Sequence, residues 1–180
     1  MNCALISTPL KHSYAGVAWR SLSVPVILTG AILIALRMAG VAGYRINLTP
    51  SMPLGIWQIT ASSEYPRGAA VAICPPIDAS FLPRGSCPLG MQPLLKQIIG
   101  VPGDVVNVTP AGVRINGGPL LPHSAPLSHT RDGQPLPQRR GTWRITGYWL
   151  YGVNSPRSFD SRYFGDVPSA CLQHRVERVL

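Results

Sequence analysis

Two side chains in this sequence have the chemistry of a proton-transfer pair, Ser51 and Lys96. Ser51 follows Pro50 and precedes Met52-Pro53. Proline fixes its own φ and drives the residue before it toward extended conformations, so the backbone around Ser51 is confined to a narrow range. That suits a group aimed at a substrate, but a hydroxyl remains a poor nucleophile until a base takes its proton. The candidate base is Lys96, which stands in the apolar run Leu94-Leu95-Lys96-Gln97-Ile98-Ile99; the other lysine, Lys11, is near the N-terminus. In a strand of period two Lys96 shares a face with Leu94 and Ile98, the face expected to be buried. A solvated lysine titrates near ~10.4, and burial can lower that by several units, leaving a neutral amine able to accept a proton. The segment fits equally a lysine that snorkels from a strand edge, and by itself does not separate the two readings.

A histidine base is the competing mechanism. His123 and His129 fall in a stretch of low periodicity, His174 lies near the C-terminus and His12 near the N-terminus, and none has a motif around it. No Cys-x-x-Cys or paired histidine spacing marks a metal site. Neither a metal nor another cofactor is expected.

The elements that must position Ser51 and Lys96 are an anchor and a β domain. Residues 21–43 form an apolar run whose one charge is Arg37. That length matches a hydrocarbon core of ~30 Å, and Arg37, in the last third, can snorkel to the headgroups. Pro25 sits near the start, where a helix tolerates it. A cleaved secretory signal is an alternative, since residues 39–43 are rich in small side chains, but the run exceeds the usual signal core. The expected organisation is a cytoplasmic tail over 1–20, a transmembrane anchor over 21–43 and a periplasmic domain over 44–180. Lys11 and Arg20 would keep the tail inside. Inner-membrane lipid is therefore an expected partner.

Nineteen prolines and eighteen glycines argue against a helical bundle and for short strands joined by tight turns. Strands are predicted over 55–60, 69–73, 94–99, 104–109, 112–115, 142–146 and 148–153, a compact mainly β domain of barrel or sandwich type. Asn116-Gly117 predicts a tight turn, and 119–141 reads as a long loop or small flap. Cys74 and Cys87, each beside a proline, flank a proline-rich loop and would staple it in an oxidising compartment, leaving Cys171 over and Cys3 inside. The formal net charge of +9 does not mark a nucleic-acid binder, because the arginines are scattered and only Arg139-Arg140 are adjacent.

Three blocks, Ser51-Met52-Pro53, then Lys96 through Asp104 (KQIIGVPGD), then Ser158 through Gly165 (SFDSRYFG), follow the anchor in this order. Together they resemble the signature blocks of the type I signal peptidase family of serine/lysine peptidases. The resemblance implies a signal-peptidase-like β domain with Ser51 as nucleophile and Lys96 as general base. It further implies that Thr49 and the Ser51 N–H hold the oxyanion, that Ser158 orients the lysine, and that Asp160 and Arg162 pair beside the site. In the conjugative-transfer branch, the TraF type, the aspartate is implicated in activity itself. Ser51-Met52-Pro53-Leu54-Gly55 looks like that branch rather than the Ser-Met-x-Pro-Thr of leader peptidases. Gln97 replaces an arginine that often follows the base, and Gly152-Val153-Asn154 replaces Gly-Asp-Asn.

The branch implies a membrane-anchored pilin precursor as substrate, cleaved and in some cases made circular. Other readings are a general signal peptidase acting on signal-peptide-bearing proteins, and a non-catalytic pilus-assembly protein that kept the fold. The few residues between Gly43 and Ser51 span at most ~28 Å, so the scissile bond is expected near the membrane face. Trp57 fits either the headgroup level or the β core.

Overall fold

The computed structural model describes the backbone of residues 15–180 and the side chains from residue 24 onward. Lys11, His12, Cys3 and most of the expected tail therefore lie outside the described residues. The chain divides into two units, residues 1–42 and 43–180.

In the first unit a single helix, α1 (Ala15–Val41), replaces the expected 21–43. The segment before residue 21 supplies alanines and other residues compatible with a helix, and nothing there stops it. Pro25 lies inside, and the carbonyl four residues before Thr29 accepts the Thr29 hydroxyl at 2.8 Å. Its segment Val24–Val41 is long and apolar enough to cross a membrane. After Ala42, whose N–H still reaches Met38 O, Gly43 takes a φ of 86°, which ends the helix in the left-handed region that glycine enters without strain.

The second unit is mainly β, in two antiparallel sheets. Its strands are β1 (Tyr44–Asn47), β2 (Gly55–Ile59), β3 (Ala70–Ile73), β4 (Leu94–Gly100), β5 (Val105–Thr109), β6 (Gly112–Ile115), β7 (Gly141–Arg144), β8 (Trp149–Tyr151) and β9 (Leu172–Arg178). The large sheet runs β1-β2-β9-β3-β4-β8 and the small one β6-β5-β7. A short helix, α2 (Ser161–Phe164), follows β8.

The seven predicted strands form within a residue or two of their expected ends. Missed were β1 and β9. Five of the seven residues of β9 are polar, so it lacks a β-former pattern; only Leu172 and Val176 are buried. It forms because β2 and β3 flank it and satisfy its backbone on both sides.

Alternation along β4 sends Ile98 into the main core with Val71, Ile73, Leu150, Phe159 and Phe164. Lys96, two residues earlier, is carried onto the same buried face. A second core of Val106, Val108, Val113, Ile145 and Trp149 sits under the small sheet. Trp57 belongs to a third cluster with Met52 and Val176, and its indole N–H donates to Pro53 O at 3.1 Å, so it occupies the core. Asn116 and Gly117 both take positive φ, as the turn requires, but the turn ends β6 instead of joining it to β5. Asn116 Oδ1 accepts the Val105 N–H there, and its amide donates to Asp104.

Cys74 and Cys87 form a disulfide that closes the loop between β3 and β4. Cys171 is free. Closing a loop of this length restricts the unfolded chain by about 3 kcal/mol. The Cys74→Ser, Cys87→Ser double variant is expected to melt roughly 10 °C lower than the oxidised parent by circular dichroism; an unchanged melting temperature would show that the bond adds nothing to stability.

Candidate active site

The loop from β1 to β2 carries Ser51, and its shape is held by one buried side chain that the motif reading gave no role, Asn47. At the end of β1, Asn47 Oδ1 accepts the Thr49 N–H at 3.1 Å and the Thr49 hydroxyl at 2.8 Å. Its amide donates to the carbonyls of Thr49, Met52 and Pro53 at 3.0, 3.1 and 3.0 Å. One side chain thus closes the loop on itself around Ser51. Its sequence signal is a short amide residue four positions before the serine, where Asn readily bonds nearby backbone. On the far side, Ser51 O accepts the Asn154 N–H at 3.2 Å, tying the loop to the segment after β8.

β4 delivers Lys96 beneath this loop. Lys96 Nζ lies 3.4 Å from Ser51 Oγ and donates to Leu95 O at 3.1 Å. The residue is 2% exposed, which excludes the snorkelling alternative. Burial lowers its pKa from the ordinary lysine value to about 8, with the Asp160 charge partly restoring it and the Arg162 charge opposing that. An appreciable fraction of the amine is therefore neutral near neutral pH, and a neutral amine in reach of a hydroxyl can accept its proton.

Thr49 Oγ1 is 3.5 Å from Ser51 Oγ, so a second hydroxyl stands beside the first. Ser158, expected to hold the lysine, does not bond it: its hydroxyl is buried and has no hydrogen-bond partner. It packs instead against Gly152, where a Cβ would lie 2.0 Å from Ser158 Oγ and 3.1 Å from Ser51 Cβ. The absence of a side chain at 152 is what lets Ser158 and Ser51 approach each other. An unpaired buried hydroxyl costs on the order of 1–3 kcal/mol.

Asp160 and Arg162 pair beside the site, both fully buried. Asp160 Oδ1 accepts from Arg162 Nε at 2.8 Å, and Oδ2 accepts from Arg162 Nη2 and the Gly152 N–H, each at 3.0 Å. Asp160 also caps α2 by accepting the Arg162 N–H. The remaining guanidinium protons go to the carbonyls of Pro156, Ser158, His123 and Ala125. Burial opposes the guanidinium charge, but the Asp160 hydrogen bonds and charge outweigh it, and the Arg162 pKa is raised. His123, by its carbonyl, thus anchors the flap, while His129 is exposed next to Ser128 and His174 is exposed on β9. Among the described residues none of these imidazoles hydrogen-bonds Ser51.

Ser51 and Lys96 open into a cleft of about 1010 Å³. Ala72, Leu94, Leu95, Phe81 and Phe159 give it apolar walls, and the flap contributes Leu127, His129 through Asp132, and Leu136. An extended peptide with small apolar side chains fits such a groove.

The family model for signal peptidase, peptidase S26, matches residues 18–180. The chain is 37% identical over 150 residues, 77% of this chain and 83% of the other, to a plasmid transfer protein TraF of Escherichia coli. It is 36% identical over 162 residues, 85% of each chain, to a probable conjugal transfer protein TraF of Sinorhizobium fredii. A crystal structure of a signal peptidase I from Enterococcus faecalis overlays with a TM-score of 0.36 at 23% identity, covering 62% of this chain and 96% of that one.

Arg162→Ala is expected to destabilise the fold by about 3–5 kcal/mol, because it strands the Asp160 carboxylate without its counter-charge. The double variant Asp160→Asn, Arg162→Met should recover part of that loss. Urea unfolding followed by tryptophan fluorescence measures both; equal stability of Arg162→Ala and the parent would show the pair to be dispensable.

Proposed function

Because this chain belongs to the signal peptidase, peptidase S26, family, we propose that it is a membrane-anchored serine endopeptidase that uses Ser51 and Lys96 to cut an exported pilin precursor of a conjugative transfer system. The observation that carries the chemistry is the buried contact of Lys96 Nζ with Ser51 Oγ at 3.4 Å, with the amine's pKa at about 8. Ser51 Oγ attacks the scissile carbonyl as neutral Lys96 takes its proton. The oxyanion is met by the Ser51 N–H and by Thr49, whose hydroxyl turns from Asn47 Oδ1 toward the new charge; a donor of this kind is worth ~3–4 kcal/mol. Lys96 then gives the proton to the leaving amine. In the charged state it exchanges Leu95 O for the unpaired Ser158 hydroxyl, which is the role we assign to that residue. Water, or an amine of the same substrate, resolves the acyl-enzyme, giving a linear or a circular product. Asp160 acts through Arg162 and the Gly152 N–H, keeping Ser158 and Lys96 in place.

The names of the two TraF relatives support the conjugative substrate, as does the Ser51-Met52-Pro53-Leu54-Gly55 sequence. The apolar helix supports a single-pass inner-membrane anchor, and the Cys74–Cys87 disulfide supports a periplasmic domain. Around the Ser51 loop, Ile46 and Leu48 are 68% and 82% exposed, an apolar surface suited to rest on lipid.

Ser51→Ala and Lys96→Ala should each abolish processing of a co-expressed precursor, read by mass spectrometry, while leaving a folded protein. Lys96→Arg should fail as well, since a guanidinium keeps its proton. For the parent, kcat/KM should rise with pH through about 8, because only the neutral amine is a base. A pH-independent rate from 6 to 10, or normal turnover by Lys96→Arg, would remove Lys96 from the mechanism.

In lipid vesicles an anchored precursor should be cut faster than the same cleavage sequence on a soluble carrier at equal bulk concentration, because both partners share one surface. Equal initial rates would show that anchoring contributes nothing to substrate selection.

A further inference from the structure

The cleft wall is apolar, but its rim is not. Arg84 comes from the loop between β3 and β4, Arg131 from the flap between β6 and β7, and Arg157 from the loop between β8 and α2. Three loops distant in sequence thus each place an arginine on the cleft that holds Ser51 and Lys96. All three are exposed, and among the described residues none of their guanidinium groups has an ion-pair or hydrogen-bond partner. Among the described residues Asp132 is the one carboxylate lining the cleft. Arg162, by contrast, is spent on Asp160 and four carbonyls, and Arg67 on Asp104. Arg162 and Arg67 have found acceptors; among the described residues Arg84, Arg131 and Arg157 have not. The flap and the β3–β4 loop also meet where the Ser80 hydroxyl donates to Gln134 Oε1 at 3.5 Å.

We propose that this rim selects a peptide that carries carboxylate side chains, or its own terminal carboxylate, beside a scissile segment of small apolar residues. The inference rests on the peptidase reading and names the substrate class of that site. The apolar wall of Ala72 and Leu95 takes the segment at the scissile bond, and Arg84, Arg131 and Arg157 meet the acidic groups where the peptide leaves the cleft. Guanidinium forks suit carboxylates in particular, since two parallel N–H donors match two oxygens. Anionic headgroups share that chemistry, but Arg84, Arg131 and Arg157 line the same cleft as Ser51 and Lys96, the place a substrate peptide must occupy.

The test uses the full chain with Ser51→Ala, in neutral detergent micelles, so that binding is read without cleavage. The probes are three fluorescein-labelled dodecapeptides on one Ala/Val core, flanked by two glutamates, two glutamines or two lysines. The glutamate peptide should bind about 10-fold tighter than the glutamine one and the lysine peptide weaker still, the size that two exposed charge pairs support. The preference should shrink between 50 and ~300 mM salt, where the screening length shortens. Arg84→Gln, Arg131→Gln, Arg157→Gln together should bind the three peptides alike. Equal binding of the glutamate and glutamine peptides, or a preference that survives the triple substitution, overturns the proposal. So does a triple variant that loses affinity for phosphatidylglycerol vesicles while peptide charge has no effect, which assigns the arginines to lipid. If the parent enzyme still cuts its precursor in any of those cases, the acidic-substrate inference alone fails; if no peptide binds and no precursor is cut, the peptidase reading fails with it.

Discussion

A lysine amine stripped of water is the constraint around which this domain is built. Burying an ammonium group is costly, and a protein meets that cost by pairing the charge or by letting it go. Here Lys96 has one backbone carbonyl and one serine hydroxyl for company, while the nearest carboxylate, Asp160, is committed to Arg162. With the carboxylate engaged elsewhere, desolvation wins and lowers the amine's pKa to about 8, so that part of it is neutral near neutral pH, as the proposed base requires. A carboxylate paired directly with Lys96 would stabilise the ammonium and remove the base.

Arg162 therefore does more than neutralise Asp160. Its five donors reach the carboxylate and carbonyls on either side of it, including His123 and Ala125 in the flap. The flap wall of the cleft and the residues behind Lys96 are thus fastened to the same guanidinium. Tyr151 and Tyr163 lie against it, with ring centres 5.2 and 5.5 Å away, which adds apolar cover to a charge already satisfied by hydrogen bonds. Position and electrostatics at the site share one anchor.

The Ser51 loop is stiffened from within. Two prolines limit its backbone, Asn47 bonds five of its groups, and Trp57 fixes Pro53 from the core. Farther on, Gly55 lies where any Cβ would strike Leu180 O, so the end of the chain packs directly against the loop's exit. Arg178 reinforces that contact by donating to both Leu54 O and Leu180 O. A serine set on such a loop would need little reorganisation to act as the proposed nucleophile.

Local pattern determined much of this in advance. Proline spacing marked Ser51, strand alternation put Lys96 on the Ile98 face, uniform apolarity marked the helix, and β-former runs marked seven strands, because each is a property of neighbours in sequence. What tertiary structure decided depends on partners far along the chain. β9 is polar and was missed, yet it occupies the middle of the large sheet, since β2 and β3 supply its hydrogen bonds. Asn47 looks like any turn residue until the loop folds around it. Ser158 was expected on Lys96 and instead packs toward Ser51, because the bare Gly152 leaves room there. Arg84, Arg131 and Arg157 are three scattered charges in the sequence; only the convergence of their loops makes them the rim of one cleft.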